Sequence, residues 1–165
     1  MTAFRDGQFK LAVFSCNGLC MVGHEDRLRI LREVHRVLAD DGVFVFSTHN
    51  QRSADHDAGL VLRELVPTAH PLKMARRLAR FTTSSARRAW NHWRLSRHDL
   101  RGPEYSIIND RSHDYGTMLY YISLASQRRQ LEAAGFRPGA EAYDQSGRPV
   151  VDDTTDVSIA FVARK

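Results

Sequence analysis

A strand, helix, strand unit in the first third of the chain constrains the fold most. Residues 9–15 are short and mostly apolar, and residues 43–47 form a continuous apolar run, which is typical of a parallel strand buried on both faces. Between them, residues 25–39 predict an amphipathic helix, because apolar residues recur every three or four positions. Parallel strands are joined by right-handed crossover helices. The unit therefore indicates an α/β fold built on a parallel sheet.

The end of this helix carries a turn signal. Asp40, Asp41 and Gly42 follow the periodic residues, and Gly42 is expected to take a left-handed conformation there. The loop after the first strand, residues 16–23, is expected to lead directly into the helix.

The last third of the chain returns to regular patterning. A helix is predicted from residue 123 or 124 to 134, with Gly135 as its C-terminal stop and Phe136 packing back. Residues 140–143 form a predicted strand, and residues 145–149 have the composition of a turn. Residues 157–163 alternate in polarity and predict a final strand. Two successive strands with no helix between them are expected to be antiparallel neighbours.

Composition limits the class of protein. The 165 residues predict a single domain, and no apolar run approaches the 18 residues that a spanning helix needs, so no membrane partner is expected. Two cysteines are too few for a disulfide framework, which predicts the reducing cytoplasm. Cys16 and Cys20 are spaced C-x3-C with no further ligands at suitable spacing, so we expect free thiols and no metal site.

The middle of the chain is strongly basic. Residues 73–101 contain nine Lys and Arg residues against one Asp, within a chain of net charge +5. Two basic amphipathic helices are predicted here, separated by residues 82–85, and a short helix is predicted at residues 60–66. Trp90 and Trp93 share a helical face with alanines, which favours packing against the sheet, with the arginines forming a solvated outer face. Single-stranded nucleic acid is the alternative partner of residues 73–101, because arginines and aromatic rings alternate there.

The order of elements resembles the second half of the class I S-adenosylmethionine-dependent methyltransferase fold. Residues 6–15 are similar to that family's fourth strand, and residues 27–47 to the helix, turn and fifth strand that follow. Residues 47–50 resemble a strand end seen in one branch of the family, and residues 120–122 with 130–136 resemble the helix before the sixth strand. The resemblance covers roughly residues 6–50 and 113–165. It implies a partial Rossmann-like α/β fold, with parallel strands, a basic helical insertion at about 52–103 and a C-terminal antiparallel strand pair.

The sequence departs from the family where the cofactor is usually held. The ten glycines form no G-x-G cluster, Lys10 stands where the family often has aspartate, and Asp40-Asp41-Gly42 replaces the usual proline-glycine turn. We therefore expect a truncated catalytic domain that does not bind S-adenosylmethionine measurably by itself. The strand at residues 10–15 is then expected to be an exposed edge through which the chain self-associates.

Candidate site residues follow from position and from the resemblance. Ligands of open α/β sheets bind beyond the carboxyl ends of the strands. The resemblance implies that the loop after residue 14 lies beside the transferred methyl group, and histidines near neutral pH can serve as bases. The predicted cofactor-binding residues are Ser15, Cys16, Asn17 and Gly18; the predicted catalytic residues are Asn17 and His49; the predicted substrate-binding residues are His49, Asn50, His113, Tyr115 and Tyr120.

Three functions remain open at this point. The leading interpretation is transfer of a methyl group from S-adenosylmethionine to a small-molecule acceptor. A non-catalytic basic interaction module that retains half of the fold is the second, and a different α/β nucleotide-binding protein is the third.

Overall fold

Strands and helices alternate along the chain in the computed structural model, which describes residues 3–62, 64–152 and 154–165. The strands are β1 (Phe9–Phe14), β2 (Leu38–Asn50), β3 (Leu100–Arg101), β4 (Tyr105–Ile108), β5 (Leu119–Ile122), β6 (Glu141–Tyr143) and β7 (Ser158–Arg164). The α-helices are α1 (His24–Val37), α2 (Ala54–Asp57), α3 (Pro71–Leu95) and α4 (Leu124–Ala133). Within the described residues no helix is both long and apolar enough to cross a bilayer.

Strand β2 is the centre of the sheet. Its first half pairs in parallel with β1, and its last two residues pair in parallel with β5, so β1 and β5 share one edge of β2. The other edge pairs with β7 in antiparallel fashion from Val43 to His49. The whole order is β3-β4-β5-β2-β7-β6, with β1 beside β2. The predicted parallel pair joined by α1 is confirmed, as is the α/β class.

One face of this sheet carries the main core. Phe44 and Phe46 of β2 point to the same side as Phe161 of β7, and Leu31 of α1 and Leu131 of α4 pack on them. All five are at most 2% exposed. α1 and α4 bury these apolar residues here, and they also bury the polar side chains of Arg27 and Gln127.

The opposite face is more open at β1. Leu11 and Val13 are 57% and 60% exposed, and they stand in register beside Val43 and Val45 of β2, which are half-buried. Among the described residues, β1 pairs with β2 alone. The strand therefore presents both an open edge and an open apolar face.

The junction between α1 and β2 differs from expectation. The helix ends at Val37 and β2 begins at Leu38, with no separate turn. Asp41, with φ 62°, takes the left-handed conformation that we expected of Gly42. Gly42 is required for another reason, since a Cβ there would lie 2.7 Å from the carbonyl oxygen of Ala39. The β1–β2 register shifts at this point, which identifies a bulge.

The basic segment is one helix and not two. Thr82 and Thr83 lie inside α3 and donate hydroxyl hydrogen bonds to the carbonyl oxygen of Ala79, so these polar side chains do not interrupt the helix. Trp90 and Trp93 are 60% and 64% exposed, so the prediction that they pack against the sheet is wrong.

Two further predictions in the middle of the chain are wrong. The described residues between 60 and 66 form no helix, and the only α-helix between β2 and α3 in the described residues is α2. Residues 120–122 belong to strand β5 and not to a helix, because they pair antiparallel with β4, a strand that the sequence did not predict. A short aromatic and apolar run fits either element by periodicity alone.

The C-terminal third is confirmed. α4 ends at Ala133, Gly135 has φ 103°, and the amide of Phe136 donates back to Leu131. β6 and β7 form the predicted antiparallel pair, joined through a turn at Gly147. This pair and β2 bring the end of the chain against its first strand–helix unit.

Candidate functional site

The loop that follows β1 lies where parallel strands end, the edge at which open α/β sheets bind ligands. Its first residues are exposed at Ser15 and Cys16 and half-buried at Asn17 and Gly18. Cys16 and Asn17 have φ values of 56° and 54°, a left-handed conformation uncommon for residues other than glycine. Gly18 makes room for the ring of Phe14, because a Cβ added at residue 18 would overlap Cε1 of that ring.

Asn17 joins the ends of β1 and β2. Its backbone amide donates to Ser47 Oγ over 2.9 Å. Its side-chain Oδ1 is buried and accepts no hydrogen bond from any described residue. A buried acceptor without a donor costs free energy, on the order of 1–3 kcal/mol, unless a ligand supplies the donor.

His49 lies on the same face of β2 as Ser47, because side chains alternate along a strand. Its ring stacks on Tyr121 of β5 at 5.0 Å, and its Nδ1 is buried with no partner among the described residues. Burial lowers the pKa of His49, and the carboxylates of Asp110 and Asp55 oppose that shift. The net shift favours the neutral imidazole, which can accept a proton.

Tyr121 connects His49 to a buried carboxylate. Its hydroxyl donates to Oδ2 of Asp110, which is 2% exposed. Burial and this hydrogen bond raise the pKa of Tyr121 well above its usual value, so the phenol stays protonated. Asp110 also accepts a hydrogen bond from the backbone amide of Ser112 at 2.7 Å, and this bond fixes the side chain of Asp110.

Arg27 supports the same edge from the opposite face of β2. The side chain is fully buried, and it donates to the carbonyl oxygen of Leu19 at 2.7 Å, to Thr48 Oγ1 at 3.1 Å and to Gln127 Oε1 at 2.5 Å. Burial lowers its pKa from a very high value, and its guanidinium lies 4.6 Å from the ring centre of Tyr120. Arg27 therefore ties α1, β2 and α4 together behind the loop after β1.

The remaining predicted residues are placed differently. Asn50 is fully buried, and its Nδ2 donates to the carbonyl oxygens of Thr154 and Asp156 at 2.6 and 3.0 Å. Tyr115 is also fully buried and donates to the carbonyl oxygen of Gly59. Both side chains hold loops in place in the described structure.

Tyr120 and His113 do not face Asn17 and His49. Tyr120 points to the Arg27 side of the sheet, where its hydroxyl lies 2.9 Å from Nδ1 of His24 and accepts from Gln130 Nε2. Burial raises the pKa of Tyr120 to about 12. His113 is exposed in a turn beside α3. Asn17 follows β1 and His49 lies near the end of the neighbouring β2, whereas Tyr120 lies on the Arg27 side of the sheet.

Two members of this site were not among the predicted site residues. Asp110 and the hydroxyl of Tyr121 meet because β4 and β5 pair, and the sequence did not predict β4. The one local signal was the order Asp110, Arg111, Ser112, which is typical of a side-chain-capped turn. Among the residues that the structure describes, no group of three or more His, Cys, Asp or Glu side chains could hold a metal ion.

Sequence comparison gives one match. Residues 1–46, which include β1, α1 and the first half of β2, match the profile of the family described as "Methyltransferase domain". No curated protein sequence matches the chain.

Solved structures share the fold at low sequence identity. The CcbJ methyltransferase from Streptomyces caelestis aligns with a TM-score of 0.54 at 17% identity, over 99% of this chain and 59% of its own. An S-adenosylmethionine-dependent methyltransferase from Mesorhizobium loti aligns with a TM-score of 0.51 at 19% identity, over 98% of this chain and 64% of its own. Another, from Methanosarcina mazei, aligns with a TM-score of 0.52 at 14% identity, over 99% of this chain and 62% of its own. The chain therefore spans about three fifths of the length of these structures.

Proposed function

From the methyltransferase-domain match of residues 1–46 and the class I S-adenosylmethionine-dependent methyltransferase fold of this chain, we propose that it takes part in methyl transfer to a small-molecule acceptor. The acceptor side of the site is the edge of the sheet where β1 and β2 end, near Asn17 and His49. The chain shares its fold with solved methyltransferases, and the activity is the proposal.

The observation that carries the proposal is a pair of buried polar atoms without partners. Asn17 Oδ1 belongs to the loop after β1 and His49 Nδ1 to the end of the neighbouring β2, at the edge where such sheets bind ligands. They are two of ten buried side-chain polar atoms that have no partner in the described residues, and the proposal rests on their position where neighbouring parallel strands end. Both atoms can accept a hydrogen bond, so the ligand they suit carries an O–H or N–H donor.

His49 then acts as the base. Its neutral ring takes the proton of the acceptor's O–H or N–H group at Nδ1 as that group attacks. Stacking on Tyr121 fixes the plane of the ring, and the bond from Tyr121 to Asp110 fixes the tyrosine. Asn17 orients the same donor through Oδ1. The protein's contribution is mainly alignment, since displacement at a methyl group needs the reacting atoms in line.

The residues present fit one side of the cofactor. S-adenosylmethionine, when bound, supplies an electrophilic methyl group. Ser15, Cys16, Asn17 and Gly18 would hold it on the methyl side, and the orphaned Asn17 Oδ1 supports that assignment. The chain offers no G-x-G loop for the remainder. We therefore expect calorimetric titration of this chain alone with S-adenosylmethionine to give no measurable heat of binding, because a few contacts do not offset the cost of immobilising a ligand.

Photochemical cross-linking tests the proposal, since it captures weak complexes. The chain would be irradiated with methyl-tritiated S-adenosylmethionine, digested and mapped. We expect label on the peptide that contains residues 15–18, displaced by S-adenosylhomocysteine and lost in Asn17→Ala. Asn91→Ala is the matched control, because Asn91 lies on α3 and donates to the carbonyl oxygen of Asp114. Label on another peptide, or label that S-adenosylhomocysteine does not displace, contradicts the proposal.

The second candidate is a basic interaction module. The observation that favours it is the exposure of Trp90 and Trp93 beside the arginines of α3. This second function does not exclude methyl transfer. Helix α3 is separated from Asn17 and His49 along the chain, and it packs chiefly on the turn at Ser112–Tyr115.

Two further assignments belong to the proposal. We infer self-association along β1, whose open edge and exposed Leu11 and Val13 support it. We also assign the protein to the cytoplasm, where Cys16 and Cys20, both free thiols, stay reduced.

A further inference from the structure

Helix α3 has an exposed apolar stripe along its length. At 3.6 residues per turn, six small or apolar residues fall within a sector of about 60°. We name them the α3 stripe: Leu72, Ala75, Ala79, Ala86, Trp90 and Trp93. All six are exposed, with Leu72 at 68%, Trp90 at 60% and Trp93 at 64%. From Leu72 to Trp93 the stripe is about 32 Å long.

A row of arginines runs beside the stripe. Arg76, Arg80, Arg87 and Arg94 occupy the adjoining sector of the same helix, and α3 contains no Asp or Glu at all. Arg87 pairs with Asp114. Arg76, Arg80 and Arg94 have no ion-pair partner among the described residues, so their charges are available to an anionic partner.

The orientation of α3 is fixed by the face that carries neither the α3 stripe nor the row of arginines. Arg88, 8% exposed, lies over the ring of Tyr115 at 5.1 Å and within 3.7 Å of Asp114. His92 Nδ1 lies 3.2 Å from Asn109 Oδ1. These contacts hold this face against the turn at Ser112–Tyr115, and the α3 stripe is consequently turned to solvent.

We propose that the α3 stripe lies in the interface of a lipid bilayer that carries anionic headgroups. A long amphipathic helix with Trp and Leu on one face and Arg beside it is the type that lies in the plane of the interface. Trp rings are favoured at that depth because they are apolar with one polar N–H. The unpaired arginines reach headgroup phosphates while their stems stay along the apolar surface.

The composition of the α3 stripe favours lipid over nucleic acid. Nucleic acid would use the arginines and stack bases on tryptophan faces, but it gives no role to Leu72 and the alanines between. Trp90 and Trp93 already pack on each other, with ring centres 5.1 Å apart, which leaves less ring face for bases. Acyl chains cover the whole stripe. The interface is independent of the methyl-transfer proposal, and either can fail without the other.

Tryptophan fluorescence provides the direct test, because Trp90 and Trp93 are the two tryptophans of the chain. The full chain would be mixed with vesicles of equal parts phosphatidylglycerol and phosphatidylcholine. We expect a blue shift of the emission and protection from acrylamide quenching. Vesicles of phosphatidylcholine alone are expected to produce neither, since they carry no anionic headgroup.

Matched variants separate the stripe from net charge. Arg76→Gln with Arg80→Gln is expected to weaken binding in vesicle sedimentation by roughly tenfold or more. Arg32→Gln with Arg148→Gln removes the same charge from exposed positions on α1 and the β6–β7 turn, and is expected to have a much smaller effect. Trp90→Ala with Trp93→Ala is expected to abolish sedimentation with vesicles while circular dichroism stays unchanged, because both rings are mostly exposed.

Three results would overturn the proposal. One is an unshifted emission spectrum in the presence of anionic vesicles. Another is equal loss of binding in the two arginine pairs, which would indicate general charge attraction. The third is fluorescence quenching by single-stranded RNA at concentrations at which anionic vesicles have no effect, which would assign the surface to nucleic acid.

Discussion

Arg27 is a fully buried cation whose hydrogen bonds go to three neutral oxygens, those of the Leu19 carbonyl, the Thr48 hydroxyl and the Gln127 amide. We expect Arg27→Met to lower the free energy of unfolding by about 3 kcal/mol, because the acceptors lose their donors and Met fills only the stem volume. Urea denaturation measures the change. Arg32→Met, at an exposed position on the same helix, is expected to stay within about 0.5 kcal/mol. A loss below about 1 kcal/mol for Arg27→Met would show that the loop after β1 does not depend on this residue.

His49 makes stability depend on pH. Burial lowers its pKa below the ordinary value of 6.5, so the unfolded chain binds more protons than the folded chain as the pH falls below that value. The free energy of unfolding should therefore rise with pH through the region below about 6.5 and level off above it. His35, whose pKa burial also lowers, contributes in the same direction.

Denaturation of wild type, His49→Gln and His35→Gln across this pH range checks the assignment. Each substitution is expected to reduce the slope of the free energy of unfolding against pH. Neither substitution alone is expected to remove that slope. If His49→Gln left the pH dependence of the free energy of unfolding equal to that of wild type, His49 would not be buried as described. The proposal that His49 is the base would then lose its support.

At the scale of elements, the bulge near the start of β2 is a backbone feature that a single substitution can test. Gly42→Ala places a methyl group 2.7 Å from the carbonyl oxygen of Ala39, and backbone cannot give way cheaply. We expect a loss of about 1–3 kcal/mol in thermal or urea unfolding. Gly59→Ala is the control, because nothing lies within 4 Å of its added Cβ, and it should be neutral or slightly stabilising. Equal effects at the two glycines would contradict the described bulge.

Local patterning predicts the elements of the sheet core and misses those set by distant contacts. β1, α1, β2, α4 and the final strand pair follow from periodicity and stop signals within each segment. β4 and β5 do not, because Tyr105 and Ile122 pair across the sheet and neither run is long enough to identify a strand alone. The continuity of α3 depends on hydroxyls that bond back to the helix, a choice that Thr82 and Thr83 could equally have made in a turn.

The candidate site likewise contains residues that the sequence identified and residues that it missed. Asn17 and His49 were predicted because Asn17 follows the first strand and His49 ends the second, and ligands bind where such strand ends meet. Asp110 and Tyr121 meet through the β4–β5 pairing, so their contact was out of reach of the sequence. Tyr115 and Asn50 were predicted as substrate contacts, but whether a polar side chain meets a ligand or a loop carbonyl depends on loop positions that the chain pattern does not encode.

At the scale of the whole molecule, the exposed side of β1 is where we propose that the chain self-associates. Val13→Lys adds a charge to an open edge strand, where charges oppose pairing. We expect it to lower the mean mass in light scattering with little change in stability, because Val13 is already 60% exposed. Val151→Lys, at a residue 71% exposed in a loop, adds the same charge and is expected to leave association unchanged. A wild-type chain that stays monomeric at all concentrations would refute self-association.

β2 is hydrogen-bonded on both edges, by β1 and β5 on one side and β7 on the other, whereas α3 packs chiefly on a single short turn. The two elements therefore differ in how their amides meet solvent deuterium. Those of β2 exchange only when the whole sheet opens, and those of α3 exchange through openings that leave the sheet intact. In mass-resolved exchange, α3 should take up deuterium far faster than β2, so that the molecule consists of a slow-exchanging centre and an appendage that opens and closes many times in the lifetime of one folded sheet.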